Sequence, residues 1–495
     1  MHGLAENVEL PVLIGGERVW PGGDALVVRY DDDLGLAVHR PTVDDVDAVV
    51  AGRATAAAAL RELSVDDITI FFDRVRARWM DPDDPWRRQA IDLSARATGY
   101  DTAMIRSDVD YLGHTLERAK QYDFIETDLG DPALLDEWRP TKAVEMRCWP
   151  KGLIAHIMVG NVPLASLFTL YRSLATKNVT VAKVPSRDLA SALCFANCIH
   201  DTDPSHPVTR ALSALYWESG STVEDMVLAE ADAVSVWGQG STVESIRARL
   251  RTGVDLIEFG PKRSLALVLD GAEDLDRIAM KVAFDVAAYD QEACFSVQEV
   301  VVEGDANRFA DQLASWLARY QRVVPRRQLP ADGDAHIQRA RIEADSEGWR
   351  VIPGPGTEWT VVVTDRPQPV FDHPLSRFVF VHPATDAADA LTRVDPNVQT
   401  VSLAPWERVR DVADALTAAG ADRIVQVGRM TRFRPGFTHD AFHPMRRMVR
   451  WVTVERAIET KYRFTDVSPE VYDERLYGPV IRLAEAEATT AEVGR

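Results

Sequence analysis

The sequence lacks any stretch of about 20 unbroken apolar residues, the length that a membrane-spanning helix requires. Its longest apolar run, residues 152–170, is interrupted by His156, Asn161 and Pro163. The first residues, MHGLAENVEL, contain an early glutamate and do not show the basic-then-apolar order of a secretory signal. We therefore expect no membrane span and a cytoplasmic location.

Cysteine and basic residues are also scarce. The four cysteines, Cys148, Cys194, Cys198 and Cys294, are spaced too irregularly for a metal framework, so we expect a reduced compartment and no metal site. Lys and Arg number 56 against 76 Asp and Glu, a net charge of −20, which argues against general binding to nucleic acid or anionic membranes. Any phosphate-bearing ligand must be met by local positive charge.

The 495 residues, 46% of them hydrophobic, are enough to fill two or three globular lobes. Residues 12–19 alternate like two short strands joined at Gly15-Gly16, and residues 25–29 continue the pattern. Thr42, three residues before Asp45, predicts a capped helix that runs to Leu63, and helical periodicity continues over 66–122. The first quarter is therefore predicted to be mostly helical.

From about Leu153, short apolar runs alternate with amphipathic segments. This alternation predicts βαβ units in a parallel sheet, with strands at 152–159, 179–184 and 233–237 and helices at 165–175, 189–199 and 241–251. No GxGxxG follows any of these strands, so the usual dinucleotide fingerprint is absent. A nicotinamide cofactor bound here would require another geometry.

A second α/β segment is predicted to start near Leu256. Its expected strands are 265–269, 298–302, 360–364 and 378–382, and its expected helices are 306–320 and 406–419. The stretch 326–356 is rich in Pro, Gly and charge and is predicted to be a surface connection. After Arg450 an apolar-alternating piece leads to an acidic helix expected at 484–492.

Four local patterns stand out in the α/β part of the chain: GNVP (160–163), VAKVPSRD (181–188), IEFGPK (257–262) and DQEACFSVQ (290–298). Their order and spacing resemble the aldehyde dehydrogenase superfamily. Within this superfamily, the residues of these patterns are most similar to those of the long-chain acyl-CoA reductases of the bacterial luciferase system. The sequence departs from the usual pattern at Gly260-Pro261, where Gly-Gly is common, and at Phe295, which follows the key cysteine.

The resemblance implies an aldehyde dehydrogenase-like α/β fold with a Rossmann-type cofactor domain, an α/β catalytic domain and a small oligomerisation element. We assign residues 1–122 and 151–255 to the cofactor domain, 256–450 to the catalytic domain, and 123–150 and 451–495 to the oligomerisation element. A homo-oligomer is therefore expected.

Cys294 is the candidate nucleophile. It follows the polar, acidic segment 290–292 and precedes a β-rich segment that begins near Val297. This is a loop-to-strand position, from which a side chain can face a cleft. A lone cysteine is more often a small buried hydrophobe, and that interpretation is kept for Cys148, Cys194 and Cys198. With the resemblance included, the Cys294 thiolate is predicted to attack a carbonyl and form a covalent intermediate.

Two further residues are candidates for catalysis. Asn161 and the backbone N–H of Cys294 are predicted to hold the oxyanion, although a simple turn also explains an asparagine before Pro163. Glu258 matches the glutamate that activates a hydrolytic water in oxidising relatives. In a reductase no such water is wanted, and Glu258 would then assist thiol deprotonation or order the site.

The resemblance implies that Lys183 and Ser186 contact the adenosine ribose. Arg187 suits a 2′-phosphate, so NADP(H) is the predicted cofactor, with NAD(H) as the alternative and a solvated pair with Asp188 as the non-functional interpretation. The turn between the strand predicted at 233–237 and the helix predicted at 241–251 is also expected to bind a pyrophosphate at the start of that helix. A tight turn would use the same residues, which are Gly238, Gly240 and Ser241.

The segment 429–451 is rich in arginine although the chain as a whole is acidic. These residues form a subunit interface, form ion pairs, or contact the phosphates of a coenzyme A substrate; the last hypothesis concerns Arg446 and Arg447. The full set is Arg429, Arg432, Arg434, Arg446, Arg447 and Arg450.

The resemblance implies reduction of a fatty acyl thioester, carried by coenzyme A or by an acyl-carrier protein, to the aldehyde by NADPH through an acyl-cysteine intermediate. One alternative is a hydrolytic aldehyde dehydrogenase that oxidises an aldehyde to the acid. The other is a catalytically inactive subunit that keeps the fold.

Overall fold

Two seven-stranded sheets covered by helices form most of the structure, a computed structural model that describes residues 6–141, 144–370, 372–455 and 478–483. In these ranges the strands are β1 (Glu6–Glu9), β2 (Val12–Ile14), β3 (Glu17–Val19), β4 (Leu26–Arg29), β5 (Leu34–Val38), β6 (Arg139–Pro140), β7 (Val144–Pro150), β8 (Leu153–Ile157), β9 (Val179–Lys183), β10 (Leu212–Leu215), β11 (Ala233–Trp237), β12 (Asp255–Phe259), β13 (Arg263–Val268), β14 (Val297–Glu303), β15 (Arg350–Pro353), β16 (Thr360–Val363), β17 (Phe378–Ala384), β18 (Val398–Ala404), β19 (Arg423–Gln426) and β20 (Val449–Glu455).

The helices of the same ranges surround these strands. They are α1 (Val43–Glu62), α2 (Val65–Trp79), α3 (Pro85–Thr98), α4 (Thr102–Thr115), α5 (Arg118–Leu129), α6 (Pro163–Ala175), α7 (Leu189–Thr202), α8 (Pro207–Arg210), α9 (Thr222–Glu230), α10 (Gly240–Arg247), α11 (Leu275–Ala287), α12 (Ala306–Val323), α13 (Ala331–Ser346), α14 (Ala387–Leu391), α15 (Val409–Ala419) and α16 (Pro444–Arg447), with 3₁₀ turns at Pro132–Leu135, Ala288–Gln291 and Trp406–Arg408.

The first sheet has the order β12-β11-β8-β9-β10-β2-β3, and its strands β8 to β12 are parallel. The strands and helices predicted between residues 152 and 251 are all found here, because each apolar run is buried between helices on both faces of a parallel sheet. The N-terminal hairpin β2-β3 extends the sheet by an antiparallel pairing with β10.

The second sheet has the order β15-β16-β17-β14-β13-β18-β19 and is parallel except for β15. Two expectations need correction. The stretch 326–356 is not only a surface connection, because it contains α13, whose buried Ile337 packs with Phe378, and the edge strand β15. Residues 256–259, assigned to the catalytic domain, lie in β12 and pair in register with β11 of the first sheet.

A third, small sheet joins two segments that are distant in the sequence. Its order is β20-β7-β6, and β20 pairs antiparallel with β7 along residues 449–455 and 144–150. Residues 144–150 and 451–455 belong to the predicted oligomerisation element, whereas 449–450 were assigned to the catalytic domain. Trp451 on β20 is 37% exposed. The helix expected at 484–492 lies outside the described residues. Within the described ranges, no helix combines the length and apolarity needed to cross a membrane.

The N-terminal hairpin is fixed to the first sheet at its turn. Gly15 N–H donates to the Ser213 hydroxyl and Gly16 N–H to the Leu212 carbonyl, both at 2.9 Å. Both glycines have positive φ, of 55° and 81°. A Cβ on Gly16 would lie 2.6 Å from backbone atoms of Thr209 and Arg210, whereas a Cβ on Gly15 would meet nothing within 4 Å.

This difference gives a matched pair of variants. Gly15→Ala and Gly16→Ala should each lose about 1 kcal/mol to the left-handed backbone, but only Gly16→Ala must also move the hairpin away from the sheet edge. We expect Gly16→Ala to lower the thermal unfolding temperature more and to speed hydrogen exchange over residues 12–19. Equal effects of the two substitutions would contradict this account of the docking.

Candidate functional site

A cavity of about 560 Å³ lies between the two large sheets, a volume typical of small-molecule sites. All four sequence patterns reach it: Gly160 to Val162 from the first, Arg187 from the second, Phe259 to Lys262 from the third, and Gln291 to Phe295 from the fourth. The first three of these segments lie at the carboxyl ends of the parallel strands β8, β9 and β12, where α/β folds bind ligands, and the fourth precedes β14 of the second sheet.

Cys294 lies in the loop that precedes β14 and is partly exposed to this cavity, whereas Cys148, Cys194 and Cys198 are buried. Its Sγ accepts a hydrogen bond from Gln399 Nε2 at 3.2 Å. Burial by the surrounding protein, and then the nearby charge of Asp440, raise the pKa of the Cys294 thiol to about 12. The thiol is therefore protonated at neutral pH and requires a proton acceptor before it can act as a nucleophile.

The loop that carries Cys294 has an unusual backbone. Residues 289–291, none of them glycine, have φ values of 52°, 48° and 68°. The Asp290 carboxylate pairs with Arg377 Nε at 2.8 Å, and both side chains are fully buried. Gln291 Nε2 donates to the Phe378 carbonyl at 2.8 Å. The second sheet thus holds a strained loop in one conformation, which is common at functional sites.

Glu292, two residues before the cysteine, connects this loop to the first lobe. Its carboxylate accepts hydrogen bonds from Arg187, Arg327 and the Tyr100 hydroxyl. Arg187 therefore contacts the cysteine loop, and the solvated pair with Asp188 is wrong: Asp188 is buried, where it caps α7. Arg187 also lines the cavity, and its guanidinium carbon lies 5.6 Å from the centre of the Tyr100 ring.

Asn161 follows β8 and lines the same cavity. Its Nδ2 donates to the backbone carbonyl of Glu292 at 2.6 Å. Its Oδ1 is buried and has no hydrogen-bond partner in the described part of the chain. The side-chain amide is thus fixed against the loop that carries Cys294.

Glu258 is not among the cavity-lining residues. It lies on β12, the edge strand of the first sheet, where neighbouring side chains alternate between the two faces. Phe259 is buried and lines the cavity, whereas the Glu258 carboxylate points away and pairs with Arg247. The structure therefore does not bring Glu258 and Cys294 together.

The residues expected to contact a dinucleotide are divided. Gly238 lines the cavity, as does Arg187, but Lys183, Ser186, Gly240 and Ser241 do not. Lys183 is 8% exposed; its Nζ pairs with Glu224 at 2.7 Å and donates to the Ser219 hydroxyl at 2.8 Å.

The start of α10 fits a pyrophosphate. Gly240 is the first residue of this helix, and no atom lies within 4 Å of the position its Cβ would occupy. The space beside Gly240 is open to an approaching ligand, and the positive end of the helix dipole favours an anion. The residues present are therefore compatible with a dinucleotide at this edge of the sheet.

Aromatic side chains form the apolar wall of the cavity. Phe433 stacks on Phe437 with ring centroids 4.5 Å apart, and Phe295 meets Phe433 edge-on at 5.1 Å. The buried Arg172 lies against this wall, with its guanidinium carbon 5.4 Å from the centre of Phe168 and 5.3 Å from that of Phe437. Such a wall suits an apolar substrate chain.

The arginine-rich segment does not supply cations to the cavity. Arg446 donates to the backbone carbonyl of Asp128, and Arg447 pairs with Asp255 at 2.8 Å. Neither residue lines the cavity. Of the interpretations considered for these two residues, the ion-pair interpretation describes Arg447, and the coenzyme A phosphate hypothesis has no support from their positions.

Several residues at the site were not anticipated from the sequence. They come from segments without a recognisable motif, and only the pair His439-Asp440 could have attracted attention as a combination typical of proton transfer. The additional residues are Tyr100, Arg327, Arg377, Gln399, His439 and Asp440. Over the described ranges, no group of three or more His, Cys, Asp or Glu side chains could hold a metal ion.

Comparison with solved structures defines the class to which this architecture belongs. A NAD-dependent benzaldehyde dehydrogenase from Corynebacterium glutamicum superposes with a TM-score of 0.72 at 16% identity over 93% of this chain and 100% of that one. An NADP-dependent glyceraldehyde-3-phosphate dehydrogenase from Bacillus halodurans C-125 superposes with a TM-score of 0.71 at 14% identity, over 91% of this chain and 100% of that one. The protein has the aldehyde dehydrogenase fold, and the predicted fold class is confirmed.

Sequence comparison then identifies the family. The profile of the family described as "Acyl-CoA reductase (LuxC)" matches residues 60–451. The long-chain acyl-protein thioester reductase of Vibrio harveyi is 34% identical over 473 residues, which cover 94% of this chain and 97% of the relative. The long-chain acyl-protein thioester reductase of Aliivibrio fischeri is 32% identical over 419 residues, which cover 83% of this chain and 86% of that relative. The chain belongs to the acyl-CoA reductase (LuxC) family, as its sequence motifs predict.

The exposure of the four cysteines can be tested by thiol titration. In the native protein a small neutral maleimide should modify one thiol, on Cys294, and the reaction should be slow at pH 7 and faster at higher pH because the pKa of this thiol is raised. Denatured protein should react at all four. Cys294→Ala should remove the native reaction and Cys148→Ala should not; rapid native labelling of Cys194 or Cys198 would contradict the described packing.

Proposed function

We propose that the protein reduces a fatty acyl thioester to the corresponding aldehyde with a nicotinamide cofactor, through an acyl intermediate on Cys294. The observation that carries this proposal is the partly exposed Cys294 in a cavity between two α/β lobes, in a chain of the acyl-CoA reductase (LuxC) family. The family relatives are named thioester reductases, which supports the reductive direction.

The residues of the cavity have distinct proposed roles. The Cys294 sulfur attacks the thioester carbonyl, and the leaving group departs as a thiol. The negative charge that develops on the carbonyl oxygen is stabilised by the Asn161 amide and the backbone N–H of Cys294, donors that need no reorganisation during the reaction. The wall formed by Phe168, Phe295 and Phe433 excludes water and covers the acyl chain.

When bound, the nicotinamide supplies the hydride that converts the enzyme-bound acyl group to the aldehyde. Gly238, Gly240 and Ser241 at the start of α10 would hold the pyrophosphate, and Lys183 and Ser186 would lie beside the ribose. NADP(H) is the proposed form, with Arg187 as the 2′-phosphate ligand. Because Glu292 accepts from both Arg187 and Arg327, Arg327 can keep this carboxylate paired when Arg187 turns to a phosphate.

The thioester donor is proposed to be coenzyme A or a carrier protein, and the names of the relatives favour a protein-bound acyl group. The small sheet of β6, β7 and β20 is the proposed contact of a homo-oligomer. Hydrolytic aldehyde oxidation is less well supported, because Glu258, the residue in its favour, pairs with Arg247 outside the cavity.

The acyl intermediate is the direct test of this function. Incubation with a saturated acyl-CoA in the absence of cofactor should add the mass of one acyl group to the protein, detected by intact mass spectrometry. Addition of NADPH should remove it and release aldehyde. Cys294→Ala should show no adduct, whereas Cys198→Ala, which changes a buried thiol, should behave like the unmodified protein.

Two other outcomes of this experiment would overturn the proposal. Release of carboxylic acid instead of aldehyde would support the hydrolytic alternative. A protein that forms no adduct and oxidises no NADPH would be a catalytically inactive member of the fold.

Arg187→Ala tests the cofactor preference. If Arg187 binds the 2′-phosphate, its removal should raise KM for NADPH at least tenfold, about 1.4 kcal/mol of lost binding, and should leave KM for NADH nearly unchanged. Arg327→Ala is the matched control, because it removes the other cation of Glu292 and should not discriminate between the two cofactors. Equal losses with NADPH and NADH in Arg187→Ala would restrict Arg187 to its contact with Glu292.

A further inference from the structure

A short turn at residues 439–442 places two polar side chains beside Gln399, which contacts Cys294. His439 and Phe442 exchange backbone hydrogen bonds of 2.9 and 3.1 Å, and Asp440 and Ala441 between them have left-handed φ values of 48° and 64°. The turn is thereby closed tightly. The His439 and Asp440 side chains are only 8% and 9% exposed, so the turn places a histidine and a carboxylate together in a nearly dry environment.

The imidazole of His439 is held at the cavity wall by two aromatic rings. Trp237 and Phe259 stack face to face with ring centroids 3.8 Å apart. His439 meets both edge-on, at 4.9 and 5.0 Å with interplanar angles of 88° and 83°. This packing restricts the rotation of the ring, and His439 lines the cavity into which Cys294 opens.

Gln399 on β18 connects the turn to the cysteine. Its Nε2 lies 3.2 Å from Cys294 Sγ, 2.8 Å from Asp440 Oδ1 and 3.4 Å from His439 Nδ1. A primary amide has two hydrogens, and the two shorter contacts use both of them. His439 Nδ1, 3.3 Å from Asp440 Oδ1, is then the donor to that carboxylate. This network leaves Nε2 as the unprotonated nitrogen of the neutral ring.

We propose that His439 is the acid–base catalyst for Cys294, with Asp440 and Gln399 as positioning residues that hold the imidazole and the thiol. This inference rests on the proposed function. His439 takes the role in thiol deprotonation that the sequence suggested for Glu258. The nucleophile, the base and the carboxylate that orients the base are combined in the same way as in enzymes of unrelated folds that activate thiols and hydroxyls.

The protons balance over the cycle. His439 Nε2 takes the proton of the Cys294 thiol as sulfur attacks the acyl thioester, and the imidazolium returns that proton to the departing thiolate. After hydride addition, the carbon–sulfur bond to Cys294 breaks and aldehyde leaves. The neutral His439 takes a proton from solvent at Nε2 and passes it to the cysteine thiolate, which restores the thiol and the neutral imidazole.

The charges around the turn favour this exchange. The groups that face it are Asp440 from the turn itself, Cys294 from the loop before β14, and Lys262 from the loop after β12, whose amine pairs with Asp422 at 3.2 Å. The Asp440 charge opposes a free thiolate but stabilises an imidazolium beside it. The arrangement therefore keeps the thiol protonated until a substrate carbonyl accepts the sulfur.

The acylation half-reaction tests this assignment, because it needs no cofactor. The protein is mixed rapidly with acyl-CoA, quenched with acid, and the acylated fraction is measured by intact mass spectrometry from pH 5 to 9. The rate of the unmodified protein should rise with pH, because a general base acts in its unprotonated form. His439→Asn should be slower by about 10²- to 10⁴-fold, the usual contribution of a general base, and should lose this rise.

Two further variants complete the design. His443→Asn is the matched control, because His443 lies four residues away, pairs with Asp128 and does not line the cavity; it should acylate like the unmodified protein. Asp440→Asn keeps the shape of the turn and should slow acylation and displace its pH profile, which tests the inference independently if His439→Asn does not fold.

The possible failures are distinguishable. If the unmodified protein forms no acyl adduct, the proposed function is wrong. If it does, and if His439→Asn forms the adduct at an undiminished rate with the same pH profile, only the assignment of His439 is overturned. An effect of Asp440→Asn on thermal stability alone would reduce Asp440 to a structural residue.

Discussion

The buried ion pair between Asp290 and Arg377 is the constraint on which the position of Cys294 depends. Three consecutive non-glycine residues, 289–291, adopt left-handed φ values, each of which costs about 1–2 kcal/mol. An ion pair between fully buried side chains cannot exchange its partners for water, and loss of either charge leaves the other uncompensated. The pair therefore fixes the loop, and with it the direction in which the thiol opens.

This constraint extends from one lobe to the other. Glu292 follows the strained segment directly and accepts from Arg187 and Tyr100 of the first lobe, while Asn161 of that lobe donates to the Glu292 backbone carbonyl. The cysteine loop is thus held on one side by the second sheet and on the other by Asn161 and Arg187, which follow strands of the first sheet, and by Tyr100 between α3 and α4. The shape of the cavity therefore depends on these contacts between the two lobes.

The electrostatics of the site explain why a second group must act on the cysteine. Desolvation and the neighbouring Asp440 carboxylate raise the pKa of the Cys294 thiol to about 12, so the thiol stays protonated at neutral pH. The same carboxylate is well placed to stabilise a cation on His439. Removal of the thiol proton therefore requires a proton acceptor, the role that we propose for His439.

The sequence by itself determined the alternation of strands and helices, the four patterns that meet at the cavity and the family. These features are local: apolar periodicity decides burial, Thr42 with Asp45 caps α1, and Gly15-Gly16 turns the hairpin. The predicted role of Cys294 came from its local context together with the family resemblance, and it remains a prediction. Even the helix α13 was missed because its few buried positions are surrounded by prolines and charges.

Only the tertiary structure decided which polar side chains meet. Glu258 belongs to a recognisable motif, yet strand alternation turns it away from the cavity. His439 has no motif and lines the cavity from a remote turn, and Gln399 on β18, also without a motif, contacts Cys294. Sequence spacing specifies the residues and their local backbone. The positions of Gln399 and His439, by contrast, depend on contacts with Cys294, Trp237 and Phe259, all more than a hundred residues away in the sequence, which no local pattern encodes.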